Sequence, residues 1–218
     1  MTGLGNDIIA LSTIDIARTR DQRFYSKILS LSEQQLYTSQ FPTLPLEHFV
    51  WLLWSIKESA YKCLQRHHPD LVFSPVKMEV SSVTVPLKAI SLNTIGHEST
   101  GFDDAACFCS EIRSGTYTLY ARSIIYADEL IVTAVQDNDN FDSLNWGLKQ
   151  IAENDPESQS KEVRVFLVKR LASLFPGTAL TIEMNNSGCP LLIVDEKASD
   201  KLISLSHHGR YVAYAVIV

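Results

Sequence analysis

Positive charge is scarce in this sequence: 19 lysines and arginines against 25 acids leave a formal net charge of -6. That balance excludes bulk attraction to nucleic acid or to an anionic membrane, so any anionic ligand has to be met by a local cluster of cations. Long apolar runs are missing too. None approaches the roughly 20 residues needed to cross a bilayer, and the N-terminal segment has no basic stretch leading into an apolar one. A soluble cytoplasmic protein is expected. Cysteine is thinly spread: Cys63, Cys107, Cys109 and Cys189 are too scattered for a disulfide framework, and the single Cys-x-Cys has no second pair to complete a zinc site. Apolar residues are plentiful, at 45% of 218, enough for one large domain or two small halves.

The most informative stretch is Trp54-Ser55-Ile56-Lys57-Glu58-Ser59-Ala60-Tyr61-Lys62, a charged nonapeptide within an apolar run. At helical period Phe49, Leu52, Leu53, Ile56, Ala60 and Leu64 form one stripe, and Ser55, Glu58 and Lys62 share a different face. Glu58 and Lys62 are i,i+4 neighbours, a spacing that on a solvated face is simply a helix staple. Pro45 suits the start of this helix, which is expected over residues 46–66.

Ahead of it, residues 4–11 read as a strand carrying one acid, Asp7, beside Gly5. An acid among strand residues costs burial energy unless a metal, an arginine or backbone donors satisfy it. Ser30-Leu31-Ser32-Glu33 matches a capping box opening a helix through Tyr37. Residues 76–80, 83–85, 106–109, 116–122 and 130–135 read as strands of an antiparallel sheet. The turn-forming residues 137–142 read as a linker, which places one half at 1–137 and the other at 138–218. The second half opens with helical patterns at 143–152 and 160–174, the latter carrying Lys161, Arg164 and Lys169. Strands follow at 179–184, 190–194, 202–206 and 211–218, the last two flanking the polar turn Ser206-His207-His208-Gly209. The expected fold class is α+β, two similar halves each with helices packed on a small antiparallel sheet.

Gly5-Asn6-Asp7, the Trp-Ser-x-Lys-Glu-Ser-x-x-Lys run of residues 54–62, and Ser204-Leu205-Ser206-His207-His208-Gly209 preceded by Gly188-Cys189-Pro190 together resemble the 4'-phosphopantetheinyl transferase superfamily. The resemblance implies an enzyme that moves the phosphopantetheine arm of coenzyme A onto a serine of an apo acyl or peptidyl carrier protein. It implies Asp7 and Glu58 as magnesium ligands, Glu58 as the base for the carrier serine, and Lys62 beside the departing phosphate. Lys57, Ser206 and His207, with Arg164 from the second half, are implied as contacts to coenzyme A phosphates. Ile9 stands where many larger members carry a further acid, and Cys189 where many carry a lysine. The motif order follows the short trimeric members, whereas the length is that of the larger monomeric ones, so a monomer built from two family halves in swapped order is expected. A carrier-protein or coenzyme A binder without catalysis is the alternative from another functional class.

Overall fold

A computed structural model describes residues 3–218 of the chain. Its first strand, β1 (Leu4–Ala10), is buried along its whole length. Two one-turn helices follow, α1 (Ile16–Thr19) and α2 (Gln22–Tyr25), then α3 (Leu31–Gln40) and the long α4 (Leu46–Gln65). The capping box at α3 is present in both directions, between the Ser30 side chain and the Glu33 amide and between Glu33 and the Ser30 amide. Strands β2 (Glu79–Thr84), β3 (His97–Thr100), β4 (Phe108–Ser114), β5 (Tyr117–Tyr126), β6 (Leu130–Gln136) and β7 (Leu144–Gln150) lead to helix α5 (Pro156–Leu174). The chain closes with β8 (Leu180–Met184), β9 (Pro190–Val194), β10 (Lys197–Ala198), β11 (Leu202–His208) and β12 (Tyr211–Ile217).

These strands form three antiparallel sheets: β1-β6-β5-β4-β2, β11-β12-β7-β3 and the small β10-β9-β8. The architecture is α+β, as the pattern of the sequence implied. Helix α4 lies across the five-stranded sheet and buries the predicted stripe of Phe49, Leu52, Leu53, Ile56, Ala60 and Leu64 against it. Gly5 sets the distance between them. A Cβ there would stand 1.9 Å from the Ser59 carbonyl oxygen, so glycine alone lets strand and helix backbones approach this closely.

Two elements differ from expectation. Residues 143–152 are not helical; they contain β7, which is central in the second sheet and buried on both faces. The second half therefore holds one long helix, α5, which starts earlier than predicted, with Asp155 accepting from the Ser158 amide. Strand β3, from the first half, is also an edge strand of the second sheet.

The two large sheets meet where β1 faces β11. β1 ladders with β6 on one side only. Toward β11 its donors are met by side chains: the Asn6 amide donates to Ser204 Oγ at 2.9 Å, Asn6 Nδ2 to Ser206 Oγ at 2.8 Å, and the Ala10 amide to His208 Nδ1 at 2.9 Å. Among the described residues no helix is long and apolar enough to cross a membrane.

Candidate active site

Alternation along β1 sends Gly5, Asp7 and Ile9 toward α4 and Asn6 toward β11. On α4, Trp54, Glu58 and Lys62 stand one above another at successive turns, and Arg66 follows at the helix end. Strand and helix thereby bring together the residues that the sequence singled out separately. The Lys62 ammonium lies 3.2 Å from Asp7 Oδ1 and 3.2 Å from Glu58 Oε1, and donates to the Asn6 carbonyl at 3.0 Å. The Trp54 indole donates to Glu58 Oε2 at 2.8 Å, which fixes the other carboxylate oxygen.

The electrostatics follow from depth. Burial pushes the Asp7 carboxyl up to about 7, with Lys62 opposing that rise and Glu58 adding to it. For Lys62, burial disfavours the charge, but Asp7 and Glu58 outweigh it and hold the ammonium above its ordinary value. His207 is lowered by burial and by the Lys62 charge. Burial likewise lowers Arg66, whose guanidinium donates to the carbonyls of Pro190 and Ile203.

Glu58 and Lys62 open onto a cavity of about 430 Å³ lined by β1, α4, α5 and β11. Its walls include Arg66 from the end of α4, Arg164 from α5, Ser204 and His207 from β11, and Gly188-Cys189-Pro190. Lys62, Arg66 and Arg164 gather three cations in one crevice of an acidic chain. Arg66 was not among the residues the sequence pointed to, although its spacing of four from Lys62 carries the signal. Arg164 reaches the cavity while donating to the Ser160 carbonyl at 3.1 Å.

The structure places two of the expected phosphate contacts away from the cavity. Lys57 is fully buried on the far side of α4, where its ammonium meets Glu33 Oε2 at 2.6 Å and the Ile28 carbonyl at 2.7 Å. Being i−1 to Glu58, it faces a different direction on the helix. Ser206 is 4% exposed and does not line the cavity; its hydroxyl is engaged with Asn6 on the opposite face of β11 from His207.

A family model described as the 4'-phosphopantetheinyl transferase superfamily matches residues 3–119, more than half of the chain. The chain belongs to this superfamily. No curated protein and no solved structure matches it. The matched span takes in Asp7, Glu58 and Lys62 and ends before β11. Within the superfamily, whose activity is phosphopantetheine transfer, this chain supplies two buried or half-buried carboxylates bridged by a lysine. No group of three or more His, Cys, Asp or Glu side chains poised for a metal occurs among the described residues. The donor chemistry nevertheless fits a hard cation: Asp7 Oδ2 is buried without a hydrogen-bond partner, and both Asp7 and Glu58 lie against the one ammonium. Ile9, in place of a further acid, is packed into the apolar core beneath α4.

Proposed function

We propose that this superfamily member transfers the 4'-phosphopantetheine of coenzyme A to a serine hydroxyl of an apo acyl or peptidyl carrier protein, releasing adenosine 3',5'-bisphosphate. The observation that carries the reading is the Asp7–Lys62–Glu58 arrangement at the wall of a cavity holding two further cations. In the transfer a bond forms between the serine oxygen and the β-phosphorus. The bond from that phosphorus to the bridging oxygen breaks, and its electron pair leaves with the adenosine bisphosphate. Glu58, oriented by Trp54, accepts the serine proton; Lys62 neutralises charge on the departing phosphate; Arg66, Arg164 and His207 hold the donor's phosphates. Asp7 and Glu58 would hold magnesium, which supplies charge neutralisation at the pyrophosphate.

The carrier's docking side is proposed at a second cavity of about 690 Å³ that shares Trp54 and Phe73 with the first. Phe24 and Trp51 give it an aromatic wall, and Arg18 and Lys27 stand on its lining. A basic rim of this kind complements the acidic helix of carrier proteins. Two family halves joined in swapped order, 1–137 and 138–218, acting as a monomer in the cytoplasm, remain part of the same proposal. Intact-mass spectrometry of apo carriers incubated with coenzyme A, magnesium and the protein tests it. A gain of one phosphopantetheine, lost with Glu58→Gln and with chelator, is expected. Coenzyme A binding without any gain on a panel of carriers would instead establish the non-catalytic binder.

A further inference from the structure

The comb of side chains between β11 and β1 has no counterpart in the transfer chemistry. Ser204, Ser206 and His208 alternate on one face of β11, and each accepts a hydrogen bond from β1, two of them from backbone amides that a neighbouring strand would ordinarily take. Leu205 and His207 alternate on the other face and line the cavity, whose wall Ser204 also reaches. The ladder with β12 fixes which face each β11 residue takes, and the contact with β1 decides where those faces stand relative to Asp7 and α4. No backbone ladder joins β1 to β11, so these side-chain bonds set how the two sheets sit against one another.

We propose that Ser206 is a positioning residue, which acts through Asn6 to hold His207 opposite Lys62 and Glu58, and that its hydroxyl does not contact the donor's phosphates. Asn6 and Ser206 are 2% and 4% exposed, so their 2.8 Å bond is dry and neither reaches the cavity. The Ser206 proton is directed at the Ala213 carbonyl of β12. Ser204 and His208 complete the device from either side. Asn6, the middle residue of Gly5-Asn6-Asp7, thereby ties the strand that carries Asp7 to the strand that carries His207.

The inference rests on the transferase reading only where turnover is the readout, and a double-mutant cycle tests it. Ser206→Ala and Asn6→Ala should each lower kcat by about tenfold or more, with the double variant no worse than the poorer single one. The coenzyme A Kd should stay within about twofold, because no phosphate contact is removed. A Kd weakened about tenfold by Ser206→Ala alone, with additive effects, would make the serine a phosphate ligand and overturn the proposal. A lowered Tm with kcat and Kd both unchanged would reduce the bond to packing and overturn it equally. Two arms need no turnover. The imidazole resonances of His207 should shift alike in both single variants, and amide exchange at Asn6 should accelerate in Ser204→Ala. Unmoved His207 resonances in folded protein would refute the positioning role even if the chain transfers nothing.

Discussion

Lys57 and Glu33 meet at 2.6 Å with both side chains removed from solvent, one residue before the candidate catalytic glutamate. Glu33 also accepts from the amides of Ser30 and Val80, so a single carboxylate joins the start of α3, the edge of β2 and the middle of α4. Burial lowers the Lys57 ammonium, with Glu33 working against that shift. Lys57→Met should therefore cost about 3–5 kcal/mol by stranding a buried carboxylate, and Lys57→Met with Glu33→Leu should recover only part of it, because the Ser30 and Val80 amides then lose their acceptor. Urea unfolding of the two variants beside the wild type measures this. Coenzyme A affinity of the folded double variant should match the wild type, whereas a phosphate-binding Lys57 would leave it weakened.

Asp7 links stability to pH. Its carboxyl is raised from 3.8 to about 7, chiefly by burial, so the folded protein binds a proton that the unfolded chain has already released across that window. The contribution is present in full below the lower value and is lost as pH rises through the upper one. Asp7→Asn should thus raise Tm at pH 8 in the absence of divalent cation, by about 2–4 °C for each kcal/mol recovered in a chain of this size. The same variant should lose transfer. A Tm below the wild type at pH 8 would show that the Lys62 pairing outweighs the burial.

Glu58 and Lys62 should separate kinetically. Glu58→Gln keeps the size of the side chain and its acceptance from Trp54 but removes the base, and a fall in kcat of roughly 10²–10⁴-fold is expected with little change in carrier KM. Lys62→Ala should depress kcat and weaken coenzyme A together. Steady-state measurements at saturating carrier distinguish the two, and equal effects on KM alone would count against both roles.

Gly5→Ala is a steric test of how closely β1 and α4 must approach. The added methyl would stand 1.9 Å from Ser59 O and 2.9 Å from the Cys63 nitrogen, both backbone atoms of the helix. Destabilisation of about 3 kcal/mol is expected. Transfer should fall further than the folded fraction, since Glu58 and Lys62 ride on the displaced helix; activity tracking the folded fraction would show that the helix does not shift.

The docking rim predicts a carrier-specific effect. Arg18→Glu with Lys27→Glu should raise carrier KM by about tenfold at low salt, leave coenzyme A binding unchanged and flatten the salt dependence of the rate. Unaltered carrier kinetics would place docking on another face.

Much of this was readable in the sequence because it is local. The apolar stripe of α4 and the Ser30–Glu33 cap are settled by spacings of three and four, and the structure has both. Leu144, Leu148 and Ile151 also satisfy helical spacing, yet β7 is buried between β12 and β3. A strand covered on both faces loses the alternation that would have marked it. The short β3, His-Glu-Ser-Thr, has no apolar signal at all and exists because β7 offers it an edge. At the site, a lysine beside a glutamate reads as a pair of substrate contacts; only Glu33, 24 residues away, reveals that Lys57 turns inward. The placement of Ser206 is hidden for the same reason: its partner Asn6 is 200 residues distant.

Strand β3 changes what a cut through the linker would yield. A fragment of residues 138–218 would carry β7 with one flank open, because the strand that covers it, His97–Thr100, travels with the other fragment. Arg170 of α5 would lose its bond to Thr100 Oγ1, and Tyr214 would lose Glu98, now 2.7 Å from its hydroxyl. Mixed as separate polypeptides, the halves would have to recognise one another by strand exchange as well as by the β1–β11 contact, which makes the pair a ready split reporter whose reassembly rebuilds a sheet and a catalytic crevice in the same step.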